Sequence, residues 1–328
     1  MKYCFGIDVG GTTIKAGLFD EEGKLREKWA FATICGDNGR HIYDDAAENV
    51  LKKCRECGIA LSDILGVGID MPGPVYEDGK LGLCNNLGVL GGYPAEELSR
   101  RLSGKKAAVL NDANAAAMGE YWFGAGKNYY SACMVTLGTG VGGGLIMNGE
   151  LMTGSHGAAG EIGHIRVADG ETESCNCGAK GCCEFYASAT GIVRVAKRLA
   201  ASGDPMKPLD PEKPLLYPDS RIAEQGASLT AKDVCDLARN GDELAGKAIS
   251  FSMEKLAVAL AAVNCIMDPE VFIIGGGVSK AFDVLEPLIT EKIADLTPVI
   301  RDRKRNVVPA LLGNDAGIYG AASVILKG

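Results

Sequence analysis

Cys175, Cys177 and Cys182 put three thiols within eight residues, with Gly178 and Gly181 between the second and the third. Glycine lets a backbone close tightly around a point, and thiolates are soft donors, so the spacing reads as a tetrahedral Zn2+ site. A fourth donor is required. Of the three histidines in the chain, His164, eleven positions before Cys175, is the nearest candidate, and Cys183 is another. Adjacent cysteines seldom chelate one ion without strain. Four protein ligands make a closed, structural centre rather than a catalytic one. Cys54-Arg55-Glu56-Cys57 is also a CxxC, but it lies inside the amphipathic helical pattern of residues 46–57, whereas a redox pair sits at a helix start. The other cysteines are scattered and read as small reduced hydrophobes.

Three glycine-rich turns form the second group. Gly10-Gly11-Thr12-Thr13 joins the strand-like runs 3–9 and 14–19. Gly138-Thr139-Gly140-Val141-Gly142-Gly143 joins SACMVTL to GLIM, and Gly275-Gly276-Gly277 follows the apolar run 271–274. Gly138, Gly140 and Gly143 satisfy the dinucleotide fingerprint literally, but that motif opens a helix, and the short run that follows ends in Asn148-Gly149 like a strand. Gly241, Gly246 and Lys247 imitate a phosphate loop, yet Ala248 replaces its Ser/Thr and no strand precedes it. What remains is a pair of hairpin turns whose N–H groups and threonine hydroxyls face one another and cradle a polyphosphate, which implies an ATP cleft between two lobes. Charge repulsion makes Asp8 a poor phosphate contact, but it is well placed for Mg2+.

The elements that position these groups are legible. Residues 64–70 and 107–110 read as buried strands delivering Met71-Pro72-Gly73-Pro74 and Asn111-Asp112 at their ends, where functional residues gather. The alanine-rich run 112–123 reads as a helix. Asp112 is thus either a catalytic base or a helix N-cap. Residues 203–228 carry five of the 12 prolines and read as a surface loop. The run 231–267 is helical, a helix is expected around 279–295, and the small residues of 315–322 suit a helix packed beneath a nucleotide site or within the core. The recurring Gly/Thr hairpin suggests two related lobes.

The chain has 328 residues, 47% of them hydrophobic, enough for two lobes with a large buried core. With 34 basic and 42 acidic residues its net charge is −8, so no basic footprint for nucleic acid exists. The N-terminus lacks the charged and apolar regions of a secretory signal, and the richest apolar run, 256–267, stops at Asp268-Pro269. A cytoplasmic chain with no membrane partner is expected.

The run Ile7-Asp8-Val9-Gly10-Gly11-Thr12-Thr13-Ile14-Lys15, with residues 135–144, resembles the two phosphate motifs of actin-like sugar kinases. It resembles most the ROK family (repressors, open-reading-frame proteins, sugar kinases), and the likeness continues through Asn148-Gly149-Glu150, Gly154, His156-Gly157, residues 159–164 and residues 175–184. Matches extend from about residue 3 to 323. The resemblance implies an α/β, actin-like (ribonuclease H-like) two-lobed fold, with lobes at 1–115 and 116–328, a C-terminal helix that packs back on the first, and homodimerisation. It implies transfer of the γ-phosphate of MgATP to the 6-hydroxyl of a hexose, glucose ahead of N-acetylmannosamine, fructose or mannose; a sugar sensor without catalysis is the rival.

By the same resemblance Asp112 is the base and Asn111 a sugar ligand, with Gly73, Asn85 or Asn86, Glu161, His164 and Glu184 around the sugar. Asp8, Gly10, Gly11, Thr12, Thr13, Lys15, Gly138, Thr139 and Gly140 hold the phosphates and Mg2+, and Gly275, Gly276 and Gly277 lie near the adenosine. His164 completes the zinc site with Cys175, Cys177 and Cys182. The helix-turn-helix that precedes this region in the family's repressors is not expected, since the chain starts at the first phosphate strand.

Overall fold

The structure, a computed structural model, describes residues 1–84, 87–298 and 306–328, so Asn85 and Asn86 lie outside the described residues. In chain order the first elements are β1 (Tyr3–Val9), β2 (Thr13–Asp20), β3 (Leu25–Ala32), α1 (Arg40–Glu56), β4 (Ile64–Met71), α2 (Pro94–Arg101), β5 (Ala107–Asn111) and α3 (Asp112–Phe123). Next come β6 (Ser131–Leu137), β7 (Val141–Met147), β8 (Glu150–Leu151), α4 (Cys183–Ala187), α5 (Ala189–Ser202), α6 (Arg221–Gln225) and α7 (Ala231–Arg239). The chain ends with α8 (Glu243–Met267), β9 (Val271–Gly275), α9 (Phe282–Leu296), β10 (Asn306–Pro309) and α10 (Ala316–Leu326).

Two compact units result. Unit 1 comprises Met1–Ser131, Gly144–Gly160 and Leu311–Gly328; unit 2 comprises Ala132–Gly143 and Glu161–Ala310. A lobe boundary after residue 115 would cut α3, which lies whole in unit 1, and the division inside β7 falls between Gly143 and Gly144. The sheets have orders β3-β2-β1-β4-β5 and β10-β9-β6-β7-β8. Taken from its other edge the second is β8-β7-β6-β9-β10, the same pattern. In each, the strand after the hairpin returns parallel to the first: β4 beside β1, and β9 beside β6. The recurring Gly/Thr hairpin therefore belongs to a repeated sheet.

Strand alternation sorts β1 and β4 into two faces. Phe5, Ile7, Val9, Val67, Ile69 and Met71 join the core formed with Ile42, Ala46 and Val50 of α1. The opposite face carries the register pairs Cys4–Gly66, Gly6–Gly68 and Asp8–Asp70. Helix α10 covers that face, with Ile318, Ala322 and Ile325 clustered on Cys4 and Phe19. Its approach is backbone to backbone. A Cβ at Gly68 would lie 1.7 Å from the Ala321 carbonyl, and one at Gly320 would lie 1.7 Å from the Ala115 carbonyl of α3. The small-residue C-terminal helix is thus a core element, and its first turn reaches the Asp8–Asp70 end of the face.

In unit 2 the helical run 231–267 breaks at Gly241, where φ is +84°, and Asp242 caps α8 by accepting the Ala245 N–H at 2.9 Å. The phosphate-loop mimic is therefore a helix start with no strand before it. Helix α8, 25 residues long, is apolar enough to cross a membrane by length and composition, but 56% of that window is buried, against α5, α7 and α9. The proline-rich segment is largely exposed and contains one short helix, α6. Cys54 and Cys57 sit at the C-terminal end of α1, not at a helix start.

Gly320→Ala must push α10 off α3, so it is expected to destabilise unit 1 by about 3 kcal/mol or more, seen as a lowered denaturation midpoint. An unchanged midpoint would contradict the packing.

Candidate active site

In unit 1 the first glycine turn is closed by the Gly10 N–H, which donates to the Thr13 carbonyl at 3.1 Å, and by the Thr33 hydroxyl, which donates to the Gly10 carbonyl at 2.7 Å. A Cβ at Gly10 would meet the Thr13 oxygen at 2.9 Å. Gly11, Thr12 and Thr13 are left exposed. Lys15 stands opposite Asp8 across the hairpin, and its Nζ donates to Asp8 Oδ2 at 2.8 Å and to the Asn314 carbonyl at 3.1 Å. The segment carrying Asn314 is itself anchored. Glu120, fully buried, accepts the N–H groups of Leu311 (3.1 Å), Leu312 (2.7 Å) and Ala125 (2.9 Å).

The N-cap of α3 is Asn111, whose Oδ1 accepts from Ala113 at 2.9 Å and Asn114 at 3.2 Å. Its Nδ2 donates to the Gly73 carbonyl at 3.0 Å, so two of the expected sugar contacts are joined. Asp112 is instead the first helical residue, exposed beyond the end of β5. The N-cap position belongs to its neighbour, while Asp112 Oδ1 shares the Ala113 N–H, accepting it at 2.8 Å.

Asp70 is the residue that the sequence reading missed. It is 0% exposed, and among the described residues no hydrogen-bond donor reaches either carboxylate oxygen. Burial first, then the charges of Asp8 and Asp112, push its pKa well above the usual carboxylate range.

In unit 2 the second turn closes through the Gly138 N–H on the Gly140 carbonyl at 3.0 Å and is held from below by the start of α5. There the Ala189 N–H donates to the Gly138 carbonyl (2.8 Å) and the Thr190 hydroxyl to the Thr139 carbonyl (3.0 Å). Gly276 packs on the end of β6, where a Cβ would lie 2.4 Å from the Leu137 carbonyl, which brings the third glycine turn beside the second. Beside the third turn opens a mostly apolar cavity of about 360 Å3, bounded by Ala189, Gly277, Lys280 and, from α7 and its cap, Thr230, Cys235 and Arg239. Its α7 wall could not be foreseen from residues 275–277 alone.

The cysteine loop lies in the same unit. One ligand atom each from His164, Cys175, Cys177 and Cys182 falls within 4.8 Å of the others, close enough for one ion. Gly181, at φ +76°, lets the loop turn where a Cβ would meet the Ala168 carbonyl at 2.1 Å. Cys183 is fully buried in α4 and is not one of the four residues whose ligand atoms converge, a place taken by His164. Glu184 links loop and turn: Oε2 accepts the Val141 N–H at 3.3 Å, and Oε1 accepts the Cys175 S–H at 3.1 Å. Glu161 Oε2 is 3.8 Å from His164 Nε2.

The base of this loop is tied to α5 by Arg198, which is 0% exposed. Its guanidinium donates to both Glu171 oxygens, at 2.8 and 3.1 Å, and to Glu173, while Tyr186 donates to Glu171 at 2.8 Å. One of several basic residues in an amphipathic helix gives no sequence signal of this role. Burial would raise the Glu171 carboxyl, but the Arg198 fork, the Glu173 N–H and the Tyr186 hydroxyl outweigh it and lower the pKa from 4.5 to about 2.

A match to the ROK family model spans residues 4–327. The chain belongs to the ROK family. This member is 36% identical to a glucokinase of Halalkalibacterium halodurans, over 99% of the chain and 95% of that relative. It is 37% identical to a glucokinase of Thermotoga maritima, over 98% and 96% respectively. A crystal structure of a ROK family glucokinase from Streptomyces griseus in complex with glucose and AMPPNP superposes with TM-score 0.75 at 32% identity, covering 99% of this ROK chain and all of the other. The α/β fold of this ROK protein is accordingly the actin-like two-lobed kinase fold.

The depressed Glu171 pKa stabilises the fold by on the order of 3 kcal/mol, fully present above pH 4.5 and lost as pH falls toward 2. Urea midpoints measured from pH 6 to pH 2.5 should decline through that window. Glu171→Gln should already be lower at pH 6, because Arg198 is then buried with less charge compensation, and flatter below it. Parallel curves for the two proteins would remove this role.

Proposed function

We propose that this protein is a glucokinase that transfers the γ-phosphate of ATP to the 6-hydroxyl of glucose. The observation that carries the reading is 36–37% identity to two glucokinases over nearly the whole chain. Phosphoryl transfer to an alcohol asks little covalent chemistry of a protein: a donor held in line, neutralised charge and one base. Asp112 is that base. As the sugar O6 forms its bond to the γ-phosphorus and the bond to the bridging oxygen breaks, Asp112 takes the hydroxyl proton and ADP leaves. Asn111 and the Gly73 backbone, tied to one another, hold the sugar, with Asn85 or Asn86, Glu161, His164 and Glu184 as further contacts.

The two glycine turns, 10–13 and 138–140, supply N–H and hydroxyl donors to the phosphates, and the cavity beside Gly277 takes the adenosine. Mg2+, when bound, neutralises phosphate charge, and Asp8, whose carboxylate is partly exposed beside the turn, would hold it. The cysteine loop fits Zn2+ by its donor set, three thiols and an imidazole within bonding reach of one point. A histidine ligates through one ring nitrogen and hydrogen-bonds through the other, so His164 can serve both ion and sugar. A Cys175 thiolate on zinc no longer donates to Glu184, which leaves Oε1 open to a sugar hydroxyl.

Turnover of ATP with glucose, mannose, fructose, N-acetylglucosamine and N-acetylmannosamine tests the reading, and glucose should lead. Asp112→Asn should lower kcat by about 10²- to 10⁴-fold with little change in glucose binding. Binding of sugar without turnover by the wild type would make the chain a sensor. Metal analysis should find one zinc per chain, and Cys177→Ser should lose it. Active protein free of zinc would rule out the ion.

A further inference from the structure

Asp70 is a buried carboxyl that the phosphoryl-transfer machinery leaves unexplained. It lies directly opposite Asp8 in the parallel register of β1 and β4, on the face covered by α10. Both carboxylates converge on the first turn of that helix: a Cβ built on Gly317 would lie 2.9 Å from Asp8 Cγ and 3.0 Å from Asp70 Oδ2. A side chain there would have to displace the two carboxylates. Lys15 serves Asp8, at 2.8 Å. Asp70 is left with the N-terminal end of α10, equivalent to roughly half a positive charge, and, among the described residues, with no donor on either oxygen. Two adjacent carboxylates, one fully buried, are held together either by a proton, which Asp70 then keeps toward Asp8, or by a cation that replaces it.

We propose that Asp70 is the second carboxylate of a divalent-cation site whose first is Asp8. Mg2+ is a hard ion that keeps several waters and is commonly held by one or two carboxylates together with substrate phosphates. The approach is from the Asp8 side, where the carboxylate is 18% exposed and the Lys15 ammonium 36%. Asp70 contributes charge and acceptor oxygens from behind, either to the ion or to a water on it. The helix over the pair keeps it in place, and Gly317 leaves room for both carboxylates.

This inference rests on the kinase reading for its nucleotide, so its test uses no sugar. Mn2+, which replaces Mg2+ and is paramagnetic, is titrated into the purified protein with AMPPNP and the free ion followed by electron paramagnetic resonance. Asp70→Asn should weaken Mn2+ binding by about 10- to 100-fold while AMPPNP binding in EDTA stays unchanged. Mn2+ binding equal to the wild type would overturn the site. Should the variant fail to fold, anomalous diffraction from wild-type crystals with Mn2+ and AMPPNP decides. An ion on Asp8 and within one water of Asp70 supports the proposal, and an ion on the phosphates alone overturns it. A protein that binds Mn2+ through Asp70 yet phosphorylates no sugar would keep the site and lose the kinase reading. An active kinase with unaltered Mn2+ binding in Asp70→Asn would lose the site alone.

Discussion

The approach of α10 to the first sheet is the constraint on which unit 1 depends. A helix ordinarily packs on a sheet through its side chains. Here the backbones touch, because Gly6 and Gly68 on the strands have no Cβ to hold them away from the Ile318 and Ala321 carbonyls of the helix. This contact fixes the height of α10 over β1 and β4, and with it the place of its first turn against Asp8 and Asp70. The same helix abuts α3, whose first residue is Asp112. The positions of Asp8, Asp70 and Asp112 are thus set by rigid backbone contact, not by flexible packing.

Charge is handled differently in the two units. Glu120 is neutralised by backbone N–H groups and thereby ties the segment before α10 to α3. In unit 2 Glu171 is neutralised by Arg198, Tyr186 and its own following backbone, which anchors the start of the cysteine loop. Each of these two buried carboxylates organises a loop. Asp70 alone of these three has no such protein partner among the described residues.

Where local chemistry left a local mark, the sequence was readable. Glycine and threonine at 10–13 and 138–140, three cysteines within eight residues, and a polar pair closing an apolar strand at 111–112 each report a backbone or ligand demand that few other residues meet. The Asn111 cap was legible only as an ambiguity with Asp112, since either side chain can cap a helix and only geometry separates them. Asp70 was hidden because one carboxylate in an apolar run does not announce that its register partner is Asp8. Arg198 and the α7 wall of the cavity lie far in sequence from the groups they serve. Strands β3 and β10 also went unread: β3 is a polar, half-exposed edge strand, and β10 is only four residues long.

The central claim is that Asp112 faces the reacting hydroxyl. A crystal structure of the chain with glucose and AMPPNP tests it most directly. The account predicts the Asp112 carboxylate within hydrogen-bond distance of the glucose 6-hydroxyl, with that oxygen pointing at the γ-phosphate. A sugar bound with its 6-hydroxyl turned away from Asp112, or with another side chain on that oxygen, would contradict it.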